Sequence, residues 1–186
     1  MTGASITAAG HSVTANHEAR HAATAFQLAR EIEVIKVGNQ TVSYSARTQV
    51  YRPRWYRDVM NSWVWRILSP SIQTRCLRCH AKRLIVIGFA GEVGRGPNEP
   101  DGNFDGDRKY IQDCLTTYFP RSASHERLCA SCRQEASAIL SSPETKHIVA
   151  ALAGELSGYI TDNRDMPGKD AMRCMRLARI AFRGGH

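Results

Sequence analysis

Asn16-His17-Glu18-Ala19-Arg20-His21-Ala22-Ala23 is the stretch from which the rest of the chain can be read. On a helix, residues four apart stand one above the other, so His17 and His21 aim two imidazoles at one point. Glu18, beside the first of them, can reach a water held at that point. His-Glu-x-x-His is the arrangement of a catalytic zinc helix, with two ligands, a general base and a place for a third ligand from elsewhere. Ala19, Ala22, Ala23, Ala25, Phe26, Leu28 and Ala29 favour a helix with an extensive apolar surface. Two imidazoles on a buried helix need partners, and a metal ion supplies them.

Outward from this stretch the chain divides into short elements. Ser12 or Thr14 is a candidate cap for the helix, which runs to about Arg30, and residues 1–11 are expected to be flexible. Ile32 to Val37 then has the β-branched character of a strand. Gly38-Asn39 reads as a turn, Thr41-Val42-Ser43-Tyr44 as the returning strand of a hairpin, and Thr48 to Tyr51 as a further extended piece. Helical spacing follows over Trp55–Leu68 and from about Ile72 to Val93. Gly94 to Gly102 is a loop by its Gly and Pro content.

Asp105 or Asp107 opens the next helix, which ends near Phe119. Ser122 or Ser124 can cap another to about Leu140, and Ser142-Pro143-Glu144 begins a helix to Ile160. A last helix starts at Asp165-Met166-Pro167 and ends at Gly184-Gly185. The expected fold is one α+β domain over residues 1–186, predominantly helical. A zincin-like His-Glu-x-x-His helix and a small N-terminal sheet belong to a metal-site region over 12–119, and helices over 122–183 complete a bundle.

Length suits one hydrophobic core. The net charge of +8 and a pI near 9.5 call for an anionic neighbour, which nucleic acid, anionic lipid or an acidic protein would satisfy. The basic stretches are Tyr51 to Arg57, where Arg alternates with aromatics able to stack on bases, and Arg173 to Arg183. Nucleic acid is the weaker expectation, because no zinc-finger or RNA-binding pattern accompanies the charge. Met1 to Gly10 lacks a leader's basic and apolar regions, and the longest apolar run, Leu84 to Ala90, is too short for a transmembrane segment. A cytoplasmic location is the expectation.

A catalytic zinc needs a third protein ligand, for which Glu92, Asp101, Asp105 and Asp107 near the Gly-rich loop are candidates. Here the chain resembles a known family. His17-Glu18-Ala19-Arg20-His21-Ala22 followed by a hairpin resembles the start of the peptidase domain of FtsH-type metallopeptidases, whose motif reads His-Glu-Ala-Gly-His-Ala. Gly88-Phe89-Ala90-Gly91-Glu92 is similar to that family's Gly-x-x-Ala-Glu segment, and a Gly-containing loop and an Asp opening a helix follow in both.

The resemblance implies Asp107 as third zinc ligand, with Asp105 as the fallback one slip away and Glu92 as a residue near the site. It implies a zinc-dependent metallopeptidase acting on peptide or protein substrates. Zn²⁺ would be held by His17, His21 and Asp107, and Glu18 would serve as general base. By the layout of the chain, the strand from Thr48 to Tyr51 or the hairpin edge could hold an extended peptide. Arg20 stands where the family has Gly. The family's ATPase motif, Gly-x-x-x-x-Gly-Lys-Ser/Thr, does not occur in these 186 residues, so substrate unfolding would fall to a separate ATPase or adaptor.

Six cysteines remain. Cys76-x-x-Cys79 and Cys129-x-x-Cys132 could together make a structural zinc site, with His125 one turn from Cys129 as a weaker addition; the alternative is a set of small buried side chains. Cys76-Leu77-Arg78-Cys79-His80 also matches the haem-attachment pattern, which is set aside because attachment requires export. His80 is then expected at the surface or at a cap, and His11 and His147 in structural or surface roles. The alternative to the enzyme is a catalytically inactive relative: a basic binding module for nucleic acid or protein, with zinc on the cysteine pairs.

Overall fold

Helix α1 (Gly3–Gln27) is the element that the others surround, and its sequence explains why. Ala15, Ala19, Ala22, Ala23 and Ala25 are wholly buried, and side chains this small let neighbouring helices come close on more than one side. The computed structural model of the chain describes residues 3–37, 46–50, 63–95, 104–120 and 124–185, with side chains over 12–37 and, past β2, from residue 65. Over these residues the protein is predominantly helical with one small antiparallel sheet.

The helix begins earlier than its candidate caps suggest. The backbone is already helical at Gly3: no Pro interrupts residues 4–11, and the favourable alanines there outweigh the cost of Gly10. At the other end Ala29 turns to φ 55°, and the Arg30 N–H donates to the Ala25 carbonyl at 2.8 Å. This is a Schellman ending with Ala in the position that usually takes Gly.

Strands β1 (Ile32–Val37) and β2 (Ala46–Val50) run antiparallel, with Ile32 opposite Val50 and Val37 opposite Ala46. A bulge between Ile32 and Val34 shifts the side-chain alternation, so Ile32 and Ile35, three apart, are both buried. The strand pairing with β1 is therefore the second extended piece of the sequence. Gly38-Asn39 and Thr41–Tyr44 lie outside the described residues. So does most of the Trp55–Leu68 segment, of which the structure describes helix α2 (Trp63–Ile67).

Four longer helices follow: α3 (Pro70–Val93), α4 (Asp105–Tyr118), α5 (His125–Ser141) and α6 (Pro143–Thr161). Their starts follow the sequence closely. Pro70 and Pro143 occupy the first turns of α3 and α6, where a missing N–H costs nothing. Ser142 Oγ accepts from the Thr145 N–H at 3.3 Å.

Asp165-Met166-Pro167 does not open the final helix. Met166 and Pro167 form β3 and pair with Ile35 and Val34 of β1, giving the order β2-β1-β3. The Val37 N–H donates to Asp165 Oδ1 at 2.8 Å, so Asp165 ties off the end of β1 instead of capping a helix. Pro167 has no N–H to offer, which suits an edge strand. Helix α7 (Gly168–Gly184) starts directly after it.

Two apolar clusters form the core, and α1 belongs to the first. One joins its alanines to Ile32 and Ile35 of β1, Ile148, Leu152 and Leu156 of α6, and Met175 of α7. The other holds Ile85, Val86 and Phe89 of α3 against Ile111 and Leu115 of α4 and Cys132 and Ala136 of α5. A polar clamp closes the first cluster. Glu144 forms an ion pair with Arg179 at 3.0 Å and accepts from Arg183 at 2.9 Å, and Arg179 also donates to Gln27 at 2.7 Å. The Arg183 hydrogen bond, foremost, keeps Glu144 below the ordinary carboxylate range. Helix α1 thus lies between α6 on one side and α3 on the other, and the motif side chains face α3.

Candidate metal centre

His17 and His21, one turn apart on α1, are both buried and present their Nε2 atoms to each other at 3.1 Å. Asp107, in the first turn of α4, completes a triangle: its Oδ2 lies 3.2 Å from His17 Nε2 and 3.1 Å from His21 Nε2. Zinc bonds of about 2.0–2.1 Å at tetrahedral angles separate adjacent donors by roughly 3.3 Å. The triangle has nearly the size of one face of such a tetrahedron, and two imidazoles with a carboxylate are a suitable donor set for zinc.

The surroundings set the donors up. His21 Nδ1 donates to the Ile87 carbonyl at 2.7 Å, which fixes the tautomer and leaves a lone pair on Nε2 for an ion. Phe104, wholly buried, packs its ring 5.4 Å from that of His17. Glu18 is buried too, with Oε1 4.0 Å from His17 Nε2. That separation leaves room for a water between the carboxylate and an ion.

Helix α3 comes this close to the centre because residue 91 is glycine. A Cβ there would lie 2.5 Å from His17 Cε1, 2.7 Å from His21 Nε2 and 2.9 Å from Asp107 Oδ2. One turn on, Arg20 donates through Nη1 to the Gly94 carbonyl at 2.8 Å.

His21 and Asp107 shift one another's titration in opposite directions. Burial works against a charged His21, yet the hydrogen bond and charge of Asp107 carry its pKa up to about 9. Burial alone would push Asp107 up as well. Hydrogen bonds from His17 and His21 outweigh it and hold the carboxyl well below the usual carboxylate range. The imidazolium of His21 and the carboxylate of Asp107 stabilise one another here, and a divalent ion would take the place of the His21 proton.

Other candidate residues lie elsewhere. Asp105 is 79% exposed and pairs with Arg108 at 3.8 Å, because two residues of helix separate its side chain from that of Asp107. Glu92 faces α5, 3.5 Å from Arg133, and Asp101 is outside the described residues.

The cysteines do not assemble. Among the described residues the only group of three or more potential ligands that converges is His17, His21 and Asp107. Cys76, Cys79, Cys129 and Cys132 are free thiols on unbroken helices, and a Lys82–Glu135 ion pair of 3.0 Å bridges α3 and α5. Burial pushes Cys132 up to about 11. His125 bonds the Phe119 carbonyl at 2.5 Å instead of joining them. His80 is buried, not at the surface. His147 packs on Phe182, and the side chain of His11 is outside the described ones.

Several residues that shape the centre carried little warning. The Ile87 contribution is a backbone carbonyl, which no residue type signals. Phe104 stands in a loop sequence with no pattern. Gly91 could have been found: Gly88 and Gly91, three apart in a helical segment, form a stripe without side chains where another element can approach.

No helix of the described residues is long and apolar enough to cross a membrane. Comparison with protein-family models, curated proteins and solved structures finds no significant match to this chain.

Proposed function

We propose that this protein is a zinc-dependent metallopeptidase resembling the FtsH peptidase domain without its ATPase. The observation that carries the reading is the convergence of His17, His21 and Asp107 with the Glu18 carboxylate alongside. Two elements far apart in sequence supply these groups, and a Gly at position 91 clears the space between them.

His17, His21 and Asp107 would hold the ion. When bound, zinc supplies a Lewis acid that polarises a peptide carbonyl and lowers the pKa of water to about 7. Glu18 accepts the proton released by the attacking water. It returns that proton to the amide nitrogen as the C–N bond breaks, so the products are a carboxylate and an amine. Ile87 holds the His21 ring in place throughout. Strand β2, an edge of the described sheet that packs along α1, is suited to receive an extended substrate backbone by strand addition. The substrates are peptides or proteins, with a separate ATPase or adaptor as a partner for folded ones.

The test is metal content and cleavage of an unstructured polypeptide, measured on wild type, His21→Ala, Asp107→Ala and Glu18→Gln. One zinc per chain is expected in wild type and Glu18→Gln, and less in the two ligand variants. Glu18→Gln should lose at least about 10²-fold in cleavage rate, the low end for a general base. A fully active Glu18→Gln, or a wild type that takes up no zinc when it is offered, would overturn the reading.

A further inference from the structure

Helix α7 has a buried face that its packing explains and an exposed face that it does not. Ala171, Met175 and Ala178 are buried in the first cluster. Leu177 and Ile180, one turn apart, are 55% and 66% exposed. At about 100° per residue, Lys169, Arg173, Arg176, Leu177 and Ile180 share one arc of roughly 100°, and all five are exposed.

The cations of this arc differ from those beside it. Arg179 and Arg183 are tied to Glu144, whereas among the described residues no acidic side chain pairs with Lys169, Arg173 or Arg176. The nearest acids stand at one border of the arc. Asp170 accepts from the Tyr159 hydroxyl at 3.3 Å, and Glu155 of α6 lies near Cys174. Single exposed aliphatic residues are ordinary on protein surfaces. Two neighbouring ones framed by three unpaired cations match the interfacial pattern of apolar insertion between charges.

We propose that this face of α7 docks on an anionic phospholipid surface. Leu177 and Ile180 enter the headgroup and acyl boundary, while Lys169, Arg173 and Arg176 lie among the phosphates, their aliphatic stems following the apolar side chains inward. Charge complementarity selects this occupant over a second copy of the chain, since a two-fold pairing of the face would set Arg173 and Arg176 against their own equivalents. Nucleic acid would engage the cations but has no use for Leu177 and Ile180, which cannot stack on bases.

Co-sedimentation of the full chain with phosphatidylcholine vesicles, with and without phosphatidylglycerol, tests the assignment. Binding is expected only when phosphatidylglycerol is present. Leu177→Ser/Ile180→Ser, which leaves the charge unchanged, should weaken it at least ~10-fold, given the apolar area removed. Arg173→Gln/Arg176→Gln should weaken it comparably. Arg75→Gln/Arg127→Gln, which removes the same charge from exposed positions on α3 and α5, should change it less than about 3-fold.

No binding to the anionic vesicles would overturn the proposal. So would equal losses from the two Arg pairs, which would mean diffuse attraction by a basic protein. Wild-type binding by the Ser variant would leave charge alone, as for any polyanion, nucleic acid included, and would also overturn it. A dimer or an acidic-protein complex that the Ser variant abolishes, without vesicle binding, would reassign the face.

Discussion

Arg20 of α1 and Gly94, just past the end of α3, fit one another beside the candidate metal centre. The guanidinium donates to the Gly94 carbonyl at 2.8 Å, and the Arg20 Cδ occupies the space that a Cβ at position 94 would need. The FtsH-type motif has Gly where this chain has Arg20. Here the larger side chain on α1 finds its room just past the end of α3, where there is none.

The two positions should therefore be coupled. Gly94 has φ −86°, which any residue adopts, so the cost of Gly94→Ala comes from Arg20 and is expected at about 1–3 kcal/mol. Arg20→Ala strips a half-buried carbonyl of its donor, at about 1 kcal/mol. The double variant should cost about 1–2 kcal/mol less than the sum, as contacting pairs do. Denaturant titrations of the four proteins check this, and additivity would sink it.

Gly91→Ala strikes the centre itself. The added methyl must displace His17, His21 or Asp107, and a shift of donors by a few tenths of an ångström spoils tetrahedral geometry. Zinc affinity, measured by competition with a chromogenic chelator, should fall on the order of 10–100-fold, as it does when the support of a metal ligand is lost. Unchanged affinity would mean that α3 moves aside at no cost.

The pH dependence has a definite sign. His21 in the metal-free protein is raised from 6.5 to about 9, so its contribution to stability is full below pH 6.5 and is lost as pH rises through about 9. Asp107 is depressed from 3.8, so its contribution is present above that value and disappears in more acidic solution. Zinc must replace the His21 proton, and its affinity should climb toward tenfold per pH unit up to about 9. The gap in Tm between zinc-loaded and metal-free protein should therefore widen from pH 6.5 to 9. A constant gap would contradict the coupling of His21 to Asp107.

Cysteine replacement should leave metal binding alone. Cys76→Ser/Cys79→Ser is expected to keep one zinc per chain, since the pairs do not converge with other ligands among the described residues. Elemental analysis reads this directly. Loss of a zinc in that variant would restore a structural site on the cysteines.

Much of the fold was legible for local reasons. The Ala-rich His-Glu-x-x-His helix, the Pro143 start of α6 and the acidic first turn of α4 are written in neighbouring residues. The structure departs from the local pattern where distant partners decide. Asp165-Met166-Pro167 has the composition of a helix start, but β1 offers its open edge and an unpaired Val37 N–H, and pairing there outweighs local preference. The cysteine pairs have ligand spacing, but spacing within a helix does not establish that two helices face each other in the right register.

Helical periodicity and propensity act between near neighbours, so a mostly helical chain with two imidazoles on one helical face is legible in the residue order. Several acids there could join those imidazoles. The tertiary structure brings Asp107 to them, because that depends on which turn of α4 meets α1. It likewise revealed the Ile87 carbonyl that orients His21 and the side-chain-free position at Gly91 that lets α3 close on the centre. These depend on distances between elements tens of residues apart, which are set by how the whole core packs.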